Sequence, residues 1–115
     1  MNNSKFYIIK LVQNLIIDFD RYLTNFPHAY IELKREIMKA SYEMLKITLE
    51  ANETYSLDKR VDYQDKIISS IKYLDFLINR CYDKKIINSK KYLKFGSNLD
   101  YLLKYIYAWR NKSRA

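Results

Sequence analysis

Apolar side chains recur every three or four residues along most of the chain, and this spacing predicts amphipathic helices. The helices are expected over residues 5–25, 28–52, 56–84 and 89–110, separated by short polar turns. Short turns between long helices make consecutive helices run antiparallel. The pattern therefore predicts one all-α domain over residues 1–115, an up-down-up-down antiparallel four-helix bundle.

Each predicted helix carries an apolar stripe that we expect to form the core. These positions are Ile8, Val12, Leu15, Ile16, Phe19 and Leu23 in the first helix; Leu33, Ile37, Ala40, Met44 and Leu45 in the second; Ile67, Ile68, Ile71, Leu74, Leu77, Ile78 and Cys81 in the third; and Tyr92, Phe95, Leu99, Leu102, Leu103 and Ile106 in the fourth. Cys81 follows the core spacing, which indicates a small buried apolar residue rather than a reactive thiol. Trp109 is expected to pack at the end of the bundle.

Three turns delimit the helices. Phe26-Pro27 ends the first helix, because the residue before proline avoids helical geometry, and Pro27 suits the first turn of the next. Ser56 is the expected N-cap of the third helix and Ser89 that of the fourth, since a serine hydroxyl can accept from a free backbone N–H of the first turn.

Composition argues against several classes of protein. A single Gly and a single Pro are too few for a β-sandwich or for a phosphate-cradling loop, and a single Cys allows no intramolecular disulfide. The one histidine, His28, stands at a predicted helix start without a partner nucleophile or a cluster of possible metal ligands. We therefore expect a non-enzyme with no catalytic residue, cofactor, metal or small-molecule substrate.

The N-terminal residues lack the apolar stretch and cleavage site of a signal peptide, and no run of about 20 apolar residues occurs. The expectation is a soluble cytoplasmic protein that does not bind membranes.

Positive charge is concentrated in the last third of the chain. The formal net charge is +8, and from Lys84 onward nine Lys and Arg residues stand against Asp100 alone. One face of the fourth helix interleaves lysines with tyrosines, a combination that neutralises phosphates and stacks on bases or sugars. The candidate nucleic-acid-binding residues are Lys84, Lys85, Lys90, Lys91, Lys94, Tyr101, Lys104, Tyr105, Lys112 and Arg114.

Two other interpretations of this face stay open. The 12 tyrosines, spread through helices rather than loops, are also typical of a surface that contacts another subunit or protein. A lysine-rich face can equally be a solubilising outer surface, and helical spacing does not distinguish these cases.

The order of the segments resembles a known family. A helix ends in Phe26-Pro27, a long second helix reaches Glu50-Ala51-Asn52, a third ends near Arg80, a short turn follows at Asn88-Ser89, and the last helix closes on Trp109-Arg110. This arrangement is similar to that of the Avd-like four-helix bundles, the accessory variability proteins of diversity-generating retroelements, which are related to bundle proteins encoded within ribosomal RNA intervening sequences.

The resemblance implies a small basic homo-oligomer, a barrel-like pentamer in the family. Its expected partners are the reverse transcriptase of the retroelement and its template RNA or cDNA, which it would hold together to support mutagenic cDNA synthesis. The alternative is a protein-protein scaffold of the intervening-sequence type, without a direct nucleic-acid role.

Overall fold

The computed structural model describes residues 4–114, and the side chains of residues 6–113. Four long helices make up this part of the chain: α1 (Ser4–Tyr22), α2 (Ile31–Glu53), α3 (Leu57–Asp83) and α4 (Ser89–Arg114). Each helix packs on the next and α4 packs on α1, whereas no Cα atoms of the diagonal pairs approach within 8 Å among the described residues. The predicted antiparallel four-helix bundle is thus confirmed, as a rod of 45 × 22 × 19 Å.

The core follows the predicted stripes closely. Every core position of the first and third predicted helices is buried, while Leu33, Leu45, Tyr92 and Leu103 lie half-buried at the margins. The rings of Phe19 and Phe95 meet at 5.1 Å between centroids and join α1 to α4. Truncating one such buried ring typically costs about 3–5 kcal/mol, so this contact stabilises the closure of the bundle.

Cys81 and Trp109 occupy the places that the spacing predicts. Cys81 is fully buried, and this burial raises the pKa of its thiol to about 11. Trp109 retains only 6% of its surface near the end of α4. Both side chains therefore contribute to packing.

The first turn differs from the expectation. The first helix ends at Tyr22 rather than 25, and the second begins at Ile31 rather than 28. Pro27 is extended, with φ −59° and ψ 138°, and a 3₁₀ turn at His28–Tyr30 follows it, in which the Tyr30 N–H donates to the Pro27 carbonyl at 2.9 Å. Pro27 therefore lies before the helical region, and the three residues His28–Tyr30, which were predicted to belong to the second helix, form the 3₁₀ turn instead.

The N-terminal caps are partly as predicted. The Ser56 hydroxyl accepts from the Lys59 N–H at 3.3 Å, which confirms Ser56 as the cap of α3. The assignment of Ser89 to the cap of α4 is wrong by one residue, because the Asn88 side-chain oxygen accepts from the Lys91 N–H at 2.9 Å. Asn and Ser are comparably good caps, so residue type could not separate these neighbours.

The C-terminus of α3 closes with a left-handed residue that is not glycine. Lys85 has φ 61°, the only positive φ of a non-glycine residue in the described part of the chain. Its N–H donates to the Tyr82 carbonyl at 2.9 Å, and the Ile86 N–H donates to the Cys81 carbonyl at 2.8 Å. This pair of bonds is a Schellman motif, in which glycine is the usual residue at the left-handed position.

Candidate nucleic-acid interface

Five of the predicted lysines surround the end of the bundle where α3 turns into α4. We call this surface the basic end and define it as Lys84, Lys85, Lys90, Lys91 and Lys94. Four of them are exposed, and Lys91 is half-buried. The Asn88 cap starts α4 here, so Lys90 and Lys91 lie in its first turn. The partial positive charge of a helix N-terminus also attracts anionic ligands, in addition to the charge of the two lysines.

Contacts with aromatic and backbone groups of the neighbouring helices hold part of the basic end in place. The Lys91 ammonium donates to the Tyr22 carbonyl at 3.3 Å, at the C-terminus of α1. The Lys94 ammonium lies 4.2 Å from the centroid of the Tyr22 ring, and that of Lys84 lies 5.9 Å from the centroid of Tyr30. Hydrogen bonds from Arg21 and then Lys94 lower the pKa of the Tyr22 hydroxyl. These contacts leave the positive charges intact.

No lysine of the basic end forms an ion pair within the described residues, although Asp83 adjoins it. Within the described residues, ion pairs join Arg35 to Glu32 and Arg110 to Asp65, and neither pair includes a lysine of the basic end. Arg110 is thus paired across the α3/α4 contact, whereas the lysines keep their net charge. A shallow groove of about 660 Å³ runs beside them, and Tyr82, Asp83, Lys85 and Lys91 are among the residues that line it, so two lysines and one carboxylate border it.

A second cluster lies further along α4, where it meets the start of α1. We call it the tyrosine patch and define it as Tyr7, Tyr101 and Tyr105. The Tyr101 hydroxyl lies 3.2 Å from that of Tyr7 and 3.4 Å from that of Tyr105. The ring centroids of Tyr7 and Tyr101 lie 5.0 and 5.1 Å from that of Tyr105, with the rings packed edge to face. The hydrogen bond with Tyr101 raises the pKa of Tyr105.

Tyr7 is a member of this cluster that the sequence did not predict. It lies on the first helix one turn before Leu11, on the side that faces α4, and 41% of its surface is exposed. The charge pattern indicated the last third of the chain, so a neutral aromatic residue of the first helix carried no signal. Only the α1/α4 contact brings it to Tyr101.

The structure divides the predicted stripe of α4 into separate regions. From Lys90 to Lys112 the helix rises about 33 Å, at about 1.5 Å per residue, with the tyrosine patch in between. Lys104 and Lys112 are exposed. The side chain of Arg114, also predicted to contact nucleic acid, lies outside the described residues. A small groove of about 180 Å³ beside Tyr101 is lined in part by Asp18, so negative charge borders the patch on the α1 side.

The described residues contain no group of three or more His, Cys, Asp or Glu side chains that could hold a metal ion. His28 is exposed in the 3₁₀ turn. None of the helices described combines the length and apolar character needed to cross a bilayer.

Comparison with known proteins adds no relative: no family model, no curated protein and no solved structure matches this chain.

Proposed function

We propose that this chain is a non-catalytic nucleic-acid-binding bundle that contacts its ligand through the basic end and the exposed face of α4. The observation that carries the proposal is the basic end itself, five lysines around one turn with no carboxylate paired to any of them among the described residues. The positive charges of such a surface repel one another, and together they attract polyanions. Phosphate contacts by lysine release counterions, which supplies most of the affinity of sequence-independent binding.

The resemblance to the Avd-like bundles suggests the biological setting of this binding. In that setting the chain is an accessory protein of a retroelement reverse transcriptase, acting in the cytoplasm as a homo-oligomer, a pentamer by analogy with the family. It binds the polymerase and the template RNA or cDNA and supports mutagenic cDNA synthesis. A reverse transcriptase gene beside paired template and variable repeats would support this role, whereas a position within a ribosomal RNA operon would favour the intervening-sequence relatives.

The salt dependence of binding tests the nucleic-acid role. For single strands, the slope of log affinity against log salt decreases by about 0.7 for each phosphate that the protein no longer neutralises. Replacing Lys90 and Lys104 together by Gln should therefore reduce the slope by about 1.4, as measured by fluorescence anisotropy on a labelled RNA. The matched control replaces Lys39 and Lys46, two exposed lysines of α2, by Gln. It therefore carries the same change in net charge as the α4 variant.

The salt slopes of the two double variants distinguish a local site from a general effect of charge. An unchanged slope in the control and a reduced slope in the α4 variant support the proposal. Equal slopes in both variants would show that net charge alone governs binding, and the α4 face would then be removed from the site.

One observation favours a second candidate function, a protein-protein scaffold. Ile17 of α1 and Tyr42 and Leu49 of α2 are 53%, 57% and 39% exposed. Contiguous exposed apolar surface, rather than a single exposed side chain, is typical of protein contact sites, and Tyr42 and Leu49 lie two turns apart on the same face of α2. Light scattering coupled to size-exclusion chromatography, at low and high salt and with and without a structured RNA, separates the candidates. A scaffold would form a stable assembly that ignores RNA.

A further inference from the structure

We infer that the tyrosine patch is a stacking platform, so that the protein binds single-stranded nucleic acid in preference to duplexes. This inference rests on the proposed function, because it takes the lysines of α4 to contact phosphates. It assigns the patch a separate task, which is to hold exposed bases.

The first support is the geometry of the three rings. Tyr7 and Tyr101 leave 41% and 44% of their surfaces exposed although both rings pack against Tyr105. The three hydroxyls form a chain of contacts at 3.2 and 3.4 Å, which restricts ring rotation before any ligand arrives. Rings that are already ordered lose little entropy on binding.

The second support is the position of the patch between lysines. Tyr101 lies seven residues after Lys94, and Lys112 lies seven residues after Tyr105, so each lysine stands about 10 Å along the helix axis from its tyrosine. A strand that follows α4 thus meets positive charge before and after the aromatic rings. Single-strand-binding proteins combine these two elements, a basic track for the backbone and aromatic faces for the bases.

Duplexes cannot use the patch in this way. Their bases are stacked on one another and present only edges in the grooves, so a flat aromatic surface gains nothing from them. Lysines, in contrast, bind the phosphates of both forms. A preference for single strands therefore reports on the tyrosines, and the salt dependence reports on the lysines.

The experiment compares three probes at one salt concentration by fluorescence anisotropy. They are a labelled oligothymidine of about 20 nucleotides, longer than the usual sites of about 4–16, an abasic strand of the same length built from tetrahydrofuran residues, and a DNA duplex of that length. We expect the native protein to bind oligothymidine about tenfold more tightly than the abasic strand, as stacking of one base provides.

Two substitutions at one position identify the aromatic face as the cause. Tyr101→Phe keeps the ring and should retain most of the tenfold preference although it removes the central hydroxyl of the chain. Tyr101→Leu keeps an apolar side chain without a ring face and should reduce the preference to about twofold or less. Tyr7→Leu, on the other helix, repeats the test at a second exposed ring. Thermal unfolding of each variant, followed by circular dichroism, establishes that the bundle is folded.

The outcomes separate the two proposals. If folded Tyr101→Leu and Tyr7→Leu both keep the native preference for bases, the stacking platform is refuted. Equal and salt-dependent binding of all three probes by the native protein also refutes it, and leaves the proposed nucleic-acid role standing on the lysines. Failure to bind any of the probes at low salt would reject both.

Discussion

The left-handed residue at the end of α3 allows a sharp test of the relation between stability and binding. Lys85 has φ 61° in the Schellman motif, a conformation that costs a residue with a Cβ about 1–2 kcal/mol. Glycine avoids this cost, but it loses about 0.5–1 kcal/mol more conformational entropy on folding. Lys85→Gly should therefore stabilise the fold by about 0.5–1 kcal/mol relative to Lys85→Ala, which removes the same charge and keeps the Cβ.

The expected shift in melting temperature follows from the size of the chain. Unfolding entropy of about 2.1 cal/mol/K per residue, over 115 residues, gives about 0.24 kcal/mol/K, so the difference corresponds to about 2–4 °C. Circular dichroism melts of both variants measure it directly. A second control is Lys84→Gly at the neighbouring C-cap, where φ is −83° and glycine should destabilise. A Lys85→Gly variant that melts no higher than Lys85→Ala would refute the reasoning.

Binding by the same variants should follow the charge and not the stability. Lys85 belongs to the basic end, so both variants remove one charge that is expected to bind phosphate, and each should lower the slope of log affinity against log salt by about 0.7 on single strands. The glycine variant would then be more stable than the alanine variant and equally impaired in binding. Unequal salt slopes would show that the turn conformation, as well as the charge, sets the affinity.

Two further predictions concern the start of α4 and the buried thiol. Asn88→Ala should lower the free energy of unfolding by about 1 kcal/mol because it removes the side-chain acceptor of the Lys91 N–H. Ser89→Ala should lower it by only about 0.3 kcal/mol, and urea unfolding measures both values. The reverse ranking would restore Ser89 as the cap. Burial raises the pKa of the Cys81 thiol from 9.0 to about 11 in the folded protein. Because the unfolded chain loses this proton at a lower pH than the folded protein does, the neutral thiol contributes its full stabilisation below about pH 9, and this contribution is lost as the pH rises towards 11. Urea unfolding between those pH values should thus show a shallower decline in Cys81→Ala than in the native protein, and identical slopes would contradict this.

Most of the fold could be predicted because helical periodicity reports burial directly. Ile8, Phe19, Ile67 and Phe95 lie in the core as their spacing requires, since a helix buries one face and every third or fourth residue shares it. The boundaries were less accurate where residue type is ambiguous. Asn88 and Ser89 are both good caps, and Pro27 suits either the residue before a turn or the first residue of a helix.

The candidate site was predicted only as a set of residues on the fourth helix and in the turn before it. Charge counting found the lysines, and the helical period placed Tyr101 and Tyr105 near them, because both properties are local in sequence. Three features depended on tertiary contacts: the approach of Tyr7 to Tyr101, the placement of Lys94 over Tyr22, and the pairing of Arg110 with Asp65. The sequence by itself determined which faces are apolar or basic. Helix packing alone decided which side chains from different helices meet, since residues 94 positions apart share no local pattern.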